Sequence, residues 1–132
     1  MSVIKFDSMI IKTNSKQEET IMKDFIEYLT DQFEAGKNDI ARLEADGRKD
    51  EADFAKVRAN IYDVCRTVTK ALTDRPGAGS EAVMAQLERF NKEWNAALDQ
   101  AREHGDIRNT VIGEIKLEVL DDVIAHFPEE EE

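Results

Sequence analysis

Apolar residues recur at helical spacing along most of this chain. Between Asp50 and Thr73 they alternate at three- and four-residue steps, which is the spacing of one helix face. The positions are Phe54, Val57, Ile61, Val64, Val68 and Leu72. Before them lies a polar turn at 45–50 that contains Gly47. We therefore predict a helical hairpin from Ile40 to Leu72, with an apolar seam that the rest of the chain covers.

The first arm of this hairpin is predicted to begin at Ser15, because Ser15 and Glu18 have the spacing of a capping box. Its apolar residues lie within about 100° of the helix circumference. They are Met22, Phe25, Ile26, Leu29, Phe33, Ile40 and Leu43, with Gly36 among them. The pattern predicts one long helix to about Ala45, the alternative being a break at Gly36. A continuous helix would allow another backbone to approach closely at Gly36.

Residues 1–14 show neither helical nor strand periodicity. They are interpreted as an N-terminal arm that docks on this chain or on a partner, or as a frayed terminus. The rest, 15–127, is predicted to form a single helical-bundle domain, and 128–132 a disordered acidic tail.

Two further helices follow the hairpin. Pro76 disfavours helical geometry at the residue before it, so the second helix ends there and 76–79 form a loop. Ser80 is predicted to cap a third helix, and Asp106 a fourth that reaches about Phe127. The apolar stripe of the third helix comprises Val83, Leu87, Phe90, Trp94, Ala97 and Ala101. Short loops between four helices predict an all-α fold, an antiparallel up-and-down bundle.

The fourth helix has an unusually wide apolar face. Its stripe contains Val111, Ile112, Ile115, Val119, Val123 and Phe127, and Leu117, Leu120 and Ile124 widen it. This face covers more than half the circumference, more than one neighbouring helix would bury. Either the helix is central in the bundle, or its second face meets another subunit. We predict a homodimer that uses Leu117, Leu120 and Ile124.

Charge and cysteine content narrow the classes of function. The chain has 29 acidic and 18 basic residues and a net charge of −11, most of it after residue 76. This acidic balance disfavours nucleic acid and anionic membrane surfaces as partners. No window contains the ~20 apolar residues of a membrane span. The single cysteine, Cys65, excludes an intrachain disulfide, and no signal peptide is recognisable, so we predict a cytoplasmic protein.

Candidate chemistry is sparse. Carboxylate-bridged di-metal sites in helical bundles need Glu three residues before His, but Ala101 and Val123 precede His104 and His126 at that spacing. Asp122 stands four residues before His126, which fits a hydrogen bond or two metal ligands. We favour the hydrogen bond, and interpret Cys65 as a buried small hydrophobe. No catalytic, cofactor or metal residues are predicted.

The leading hypothesis is therefore a small non-enzymatic bundle that acts through protein–protein contact, including self-association. The alternative is a bundle that binds a small molecule in an aromatic-lined pocket between helices. Its candidate lining residues are Phe25, Phe33, Phe90 and Trp94.

Overall fold

A computed structural model describes residues 2–75 and 79–128, with side chains from residue 19 onwards. These ranges contain four helices: α1 (Ser2–Ala45), α2 (Lys49–Thr73), α3 (Ser80–Glu103) and α4 (Ile107–Ala125). No residue in the two ranges is in a β-strand. The predicted all-α helical bundle is confirmed.

Contacts between side chains give the directions of the helices. Arg58 pairs with Glu118 and Tyr62 with Asp122, so α2 and α4 lie side by side and run in the same direction. The turn after α1 reverses the chain, and the α1–α2 and α3–α4 pairs pack as hairpins. α2 also contacts α3, so it packs against all three other helices. The arrangement is an up-and-down bundle with α2 and α4 at its centre.

The α1–α2 turn depends on Gly47, which has a φ of +72°. This left-handed conformation lets the N–H of Arg48 donate to the carbonyl of Leu43 at 2.9 Å, which satisfies one of the free carbonyls at the helix end. Further along the hairpin, α1 passes Gly36 without a break, as the sequence predicts. A Cβ at Gly36 would lie 2.9 Å from the Cβ of Ala59, so the expected close approach of a neighbouring helix is confirmed.

Two predicted helix starts are wrong. The backbone is already helical from Ser2, so Ser15 lies inside α1 rather than at its beginning. A serine inside a helix costs only about 0.5 kcal/mol relative to alanine, and the capping-box spacing therefore does not force a helix to start. The N-cap of α3 is Gly79, and Ser80 is its first helical residue. The docking of residues 1–14 concerns side chains outside the described ones and stays a prediction.

The start of α4 is confirmed. The Asp106 carboxylate accepts the backbone N–H of Asn109 at 3.1 Å and its side-chain amide at 2.6 Å. These bonds favour the ionised form and lower the pKa of Asp106. α4 ends at Ala125, slightly before the predicted Phe127. Residues 76–78 of the predicted loop and 129–132 of the predicted tail lie outside the described residues.

The buried face of α2 differs from the predicted stripe. Of the six predicted positions only Ile61 is fully buried, and the other five are partly exposed. The residues buried instead are Ala52, Ala59, Tyr62, Cys65 and Thr69. Several of these side chains are small, and at Ala59 the face lies directly against Gly36 of α1. The Thr69 hydroxyl is satisfied inside its own helix, since it donates to the carbonyl of Cys65 at 2.6 Å.

The wide apolar face of α4 is covered by the chain itself. Val119 is 1% exposed and Leu120 is 0% exposed, and Leu117 and Ile124 are half-buried against the same core. Of the two explanations offered by the sequence, a central position in the bundle accounts for the width of this face. Among the described residues, no helix combines the length and apolar character needed to cross a bilayer.

Candidate functional site

Four side chains, from α1, α2 and the C-terminal end of α4, form a partly buried polar cluster that links distant segments of the chain. We call it the Tyr–Asp cluster; it consists of Tyr28, Tyr62, Asp122 and His126. The hydroxyls of Tyr28 and Tyr62 each donate to Oδ2 of Asp122 at 2.7 Å. The His126 ring stacks on Tyr28 with centroids 4.2 Å apart, and its Nδ1 lies 3.3 Å from Oδ1 of Asp122. One carboxylate thus ties α1 and α2 to α4.

Burial and hydrogen bonding keep both tyrosines neutral. Loss of hydration, followed by the hydrogen bond to Asp122, raises the pKa of Tyr28 to about 12. The pKa of Tyr62, which is only 8% exposed, is raised further for the same reasons. A tyrosinate beside a carboxylate would lose a hydrogen bond and gain a like-charge repulsion. The two hydroxyls are therefore held as donors at neutral pH.

This coupling predicts a delayed tyrosine titration. Tyr28 and Tyr62 are the only tyrosines, so ultraviolet absorbance of tyrosinate reports on them alone. Because the folded-state pKa values lie above the unfolded value of 10.0, the stability they contribute is complete below pH 10 and is lost as pH rises towards about 12. We expect little ionisation at pH 10 in the folded protein. Asp122→Asn should bring the ionisation to lower pH, and an ordinary midpoint at pH 10 in the unmodified protein would contradict the geometry.

The four-residue spacing of Asp122 and His126 also fits a pair of metal ligands. His126 Nδ1 faces its own helix, 2.9 Å from the Asp122 carbonyl oxygen, and the ring is occupied by stacking on Tyr28. Among the side chains described, no three His, Cys, Asp or Glu residues converge as a metal site would require. The pair is accounted for by the hydrogen-bonded cluster.

Cys65 lies where the sequence predicts, in the core. It is 0% exposed, and desolvation raises the pKa of its thiol to about 12. Only the thiolate is an effective nucleophile, so burial and the raised pKa both disfavour reaction of this thiol in the folded protein.

Of the four aromatic residues proposed to line one pocket, Trp94 alone borders either of the two hollows described below, although all four belong to or pack against the same core. Phe25 is buried and packs edge-on against Phe127, with ring centroids 5.2 Å apart. Phe33 instead faces two cations, Lys37 at 5.1 Å and Arg66 at 4.8 Å from its centroid. Phe90 and Trp94 stack on one another at 4.8 Å. Each aromatic group serves a different contact.

Two open hollows lie between α3 and α4. The first, of about 370 Å³, is bordered by Trp94 and by small residues where Gly113 packs tightly on Leu98. The second, of about 520 Å³, lies at the opposite end of the helix pair, and we call it the end groove. Its lining residues are Ser80, Glu81, Met84, Ala85, Glu88, Ile124, Ala125, Phe127 and Pro128. The sequence pattern does not predict this groove, because the register of α3 against α4 decides which residues face each other.

The residues predicted to form a dimer interface have different positions. Leu120 is fully buried within one chain and so has no surface to offer a partner. Ile124 is half-buried and borders the end groove, and Leu117 is half-buried against the core. Leu117 and Ile124 thus both keep some exposed surface, and the dimer that uses them stays a prediction.

The chain matches no protein-family model, and it matches no curated protein and no solved structure.

Proposed function

We propose that this protein is a non-enzymatic helical bundle that acts by protein–protein contact and self-associates through the N-terminal part of α1. The observation that carries the proposal is a mismatch in helix length. α1 has 44 residues and its hairpin partner α2 has 25. At about 1.5 Å per residue the helices are about 66 Å and about 38 Å long, so α1 exceeds α2 by about 28 Å.

α3 and α4 do not extend alongside the part of α1 that is longer than α2. The Gly47 turn aligns the C-terminal end of α1 with the start of α2, so the excess lies at the N-terminal end of α1. The bundle ends near Phe25, because Phe127, just beyond α4, packs against it. Ser80 at the start of α3 borders the same groove as Phe127. Residues 2–18, which we call the extension, therefore have none of the three other described helices beside them.

The extension contains large apolar residues that would be unfavourable on a helix surrounded by water. The six large apolar residues of this stretch show no single helical period, but three of them, Val3, Phe6 and Ile10, have the i, i+3, i+7 spacing of one helix face. Ile4, Met9 and Ile11 add to the apolar content of the same stretch. Burying a large apolar side chain is worth about 1.5–3 kcal/mol, so covering several of them supports association.

Sedimentation velocity of the full chain over a micromolar concentration series tests this proposal. We expect a dimer that dissociates on dilution, and a monomer at all these concentrations for Phe6→Glu with Ile10→Glu. The matched control is Ile107→Glu, which makes the same change at an isoleucine that is 80% exposed in the first turn of α4. It should remain dimeric. A monomeric unmodified protein, or dissociation caused equally by the control, would overturn the proposal.

A further inference from the structure

We infer that the end groove of one copy receives the extension of a second copy, so that two chains exchange their extensions reciprocally. This inference rests on the proposed function and adds the surface that binds the extension. In a reciprocal exchange each copy makes the same contact with the other, and the result is a closed dimer with two-fold symmetry.

The groove has the composition of a helix-binding surface. Met84 and Ala85 of α3 face Ile124 of α4 and Phe127 across an open hollow of about 520 Å³. Met84, Ile124 and Phe127 are half-buried, so apolar surface remains for a partner to cover. Amphipathic helices bind such grooves through apolar residues spaced at i, i+3 and i+7.

The position of the groove fits an extension that arrives from a second molecule. It lies at the end of the bundle where α1 leaves, because Phe127 borders the groove and also packs on Phe25. When two copies meet at these ends with their extensions antiparallel, each extension runs back along the other bundle. The length also matches, since the span from Val3 to Ile11 and the span from Ser80 to Glu88 are both about 12 Å along a helix.

Charge complementarity favours this occupant. Residues 1–16 contain Lys5, Lys12 and Lys16 against a single acidic residue, Asp7, in a chain that is otherwise strongly acidic. The charged residues that line the groove are Glu81 and Glu88, both exposed. Opposite charges around an apolar contact set its orientation and make the association sensitive to salt.

Cross-linking between two differently tagged populations tests the inference. Cys65 is fully buried, so native chains with one added cysteine have a single reactive site. We expect a short thiol-reactive linker to join Ile10→Cys in one population to Ala85→Cys in the other. The control is Ala96→Cys, at an exposed alanine of α3 away from the groove, and its yield should be several-fold lower.

Charge exchange gives a second readout in variants that retain the core. Glu81→Lys with Glu88→Lys should weaken dimerisation at least about tenfold, because like charges would then meet. Adding Lys5→Glu and Lys12→Glu should restore it. The matched control, Glu93→Lys with Glu103→Lys, makes the same change at exposed positions elsewhere on α3 and should leave the dissociation constant nearly unchanged.

The possible results distinguish self-association from the docking of the extension in the end groove. A dimer whose extension cross-links no better to position 85 than to 96 would overturn the docking site and leave self-association standing. Cross-linking only within one chain that carries both cysteines would likewise overturn the exchange. A monomer by sedimentation would overturn both.

Discussion

Leu120→Ala should lower the free energy of unfolding by about 2–5 kcal/mol, the range for removing a fully buried leucine side chain. Leu120 is 0% exposed and is among the largest fully buried side chains of the described core. α4 lies between α2 and α3, so the cavity is bordered by several helices that cannot all move inward. Urea unfolding followed by circular dichroism should show a lower midpoint with an unchanged slope.

The controls for this variant distinguish core from interface. Ile107→Ala removes an isoleucine side chain that is 80% exposed, and should change stability by less than about 0.5 kcal/mol. Leu117→Ala, at a half-buried position, should fall between the two. If Leu120 acted at a dimer interface, its effect would grow with protein concentration. The burial of Leu120 instead predicts the same loss at every concentration.

Leu120 also shows what the hydrophobic periodicity of a sequence can predict and what it cannot. The pattern correctly predicts a helix whose apolar face is too wide for one neighbour, because a period of 3.6 residues is a property of the sequence alone. It does not show what covers that face, which depends on the packing of helices far apart in the chain. The same limit explains α2, where periodicity predicts a stripe of large residues but the structure buries a face that contains Ala59, Tyr62 and Cys65.

Local signals differ in how firmly they predict structure. Asp106 was identified correctly because its cap needs only its own carboxylate and the N–H of Asn109. The capping-box spacing at Ser15 was misleading, since such a sequence is tolerated inside a longer helix. In the Tyr–Asp cluster, Asp122 and His126 were paired from their spacing, but the partners Tyr28 and Tyr62 were missed. The sequence does contain one indication of their role: both tyrosines lie beside apolar stripes, and a tyrosine hydroxyl needs a hydrogen-bond partner when it is buried.

Gly36→Leu is expected to lower the free energy of unfolding by about 3 kcal/mol, the upper part of the range for overpacking. A Cβ at this position would lie 2.9 Å from the Cβ of Ala59 and 3.5 Å from its Cα. The obstruction is the Cβ of Ala59, which is fixed to the α2 backbone, so a side-chain rotation cannot relieve it. α1 and α2 must separate, which weakens the contacts along the hairpin. Thermal and urea unfolding of the variant should both show the loss.

Alanine at position 36 adds only one methyl group, so this smaller substitution isolates the cause of the expected destabilisation. Gly36→Ala gains about 1 kcal/mol of helix propensity but brings two Cβ atoms into conflict, so we expect no net stabilisation. In a chain that also carries Ala59→Gly the conflict is removed, and the same substitution should then stabilise the protein. The difference between the two backgrounds measures the coupling across the hairpin. Equal stabilisation in both backgrounds would mean that α1 and α2 are farther apart at this point than the structure places them.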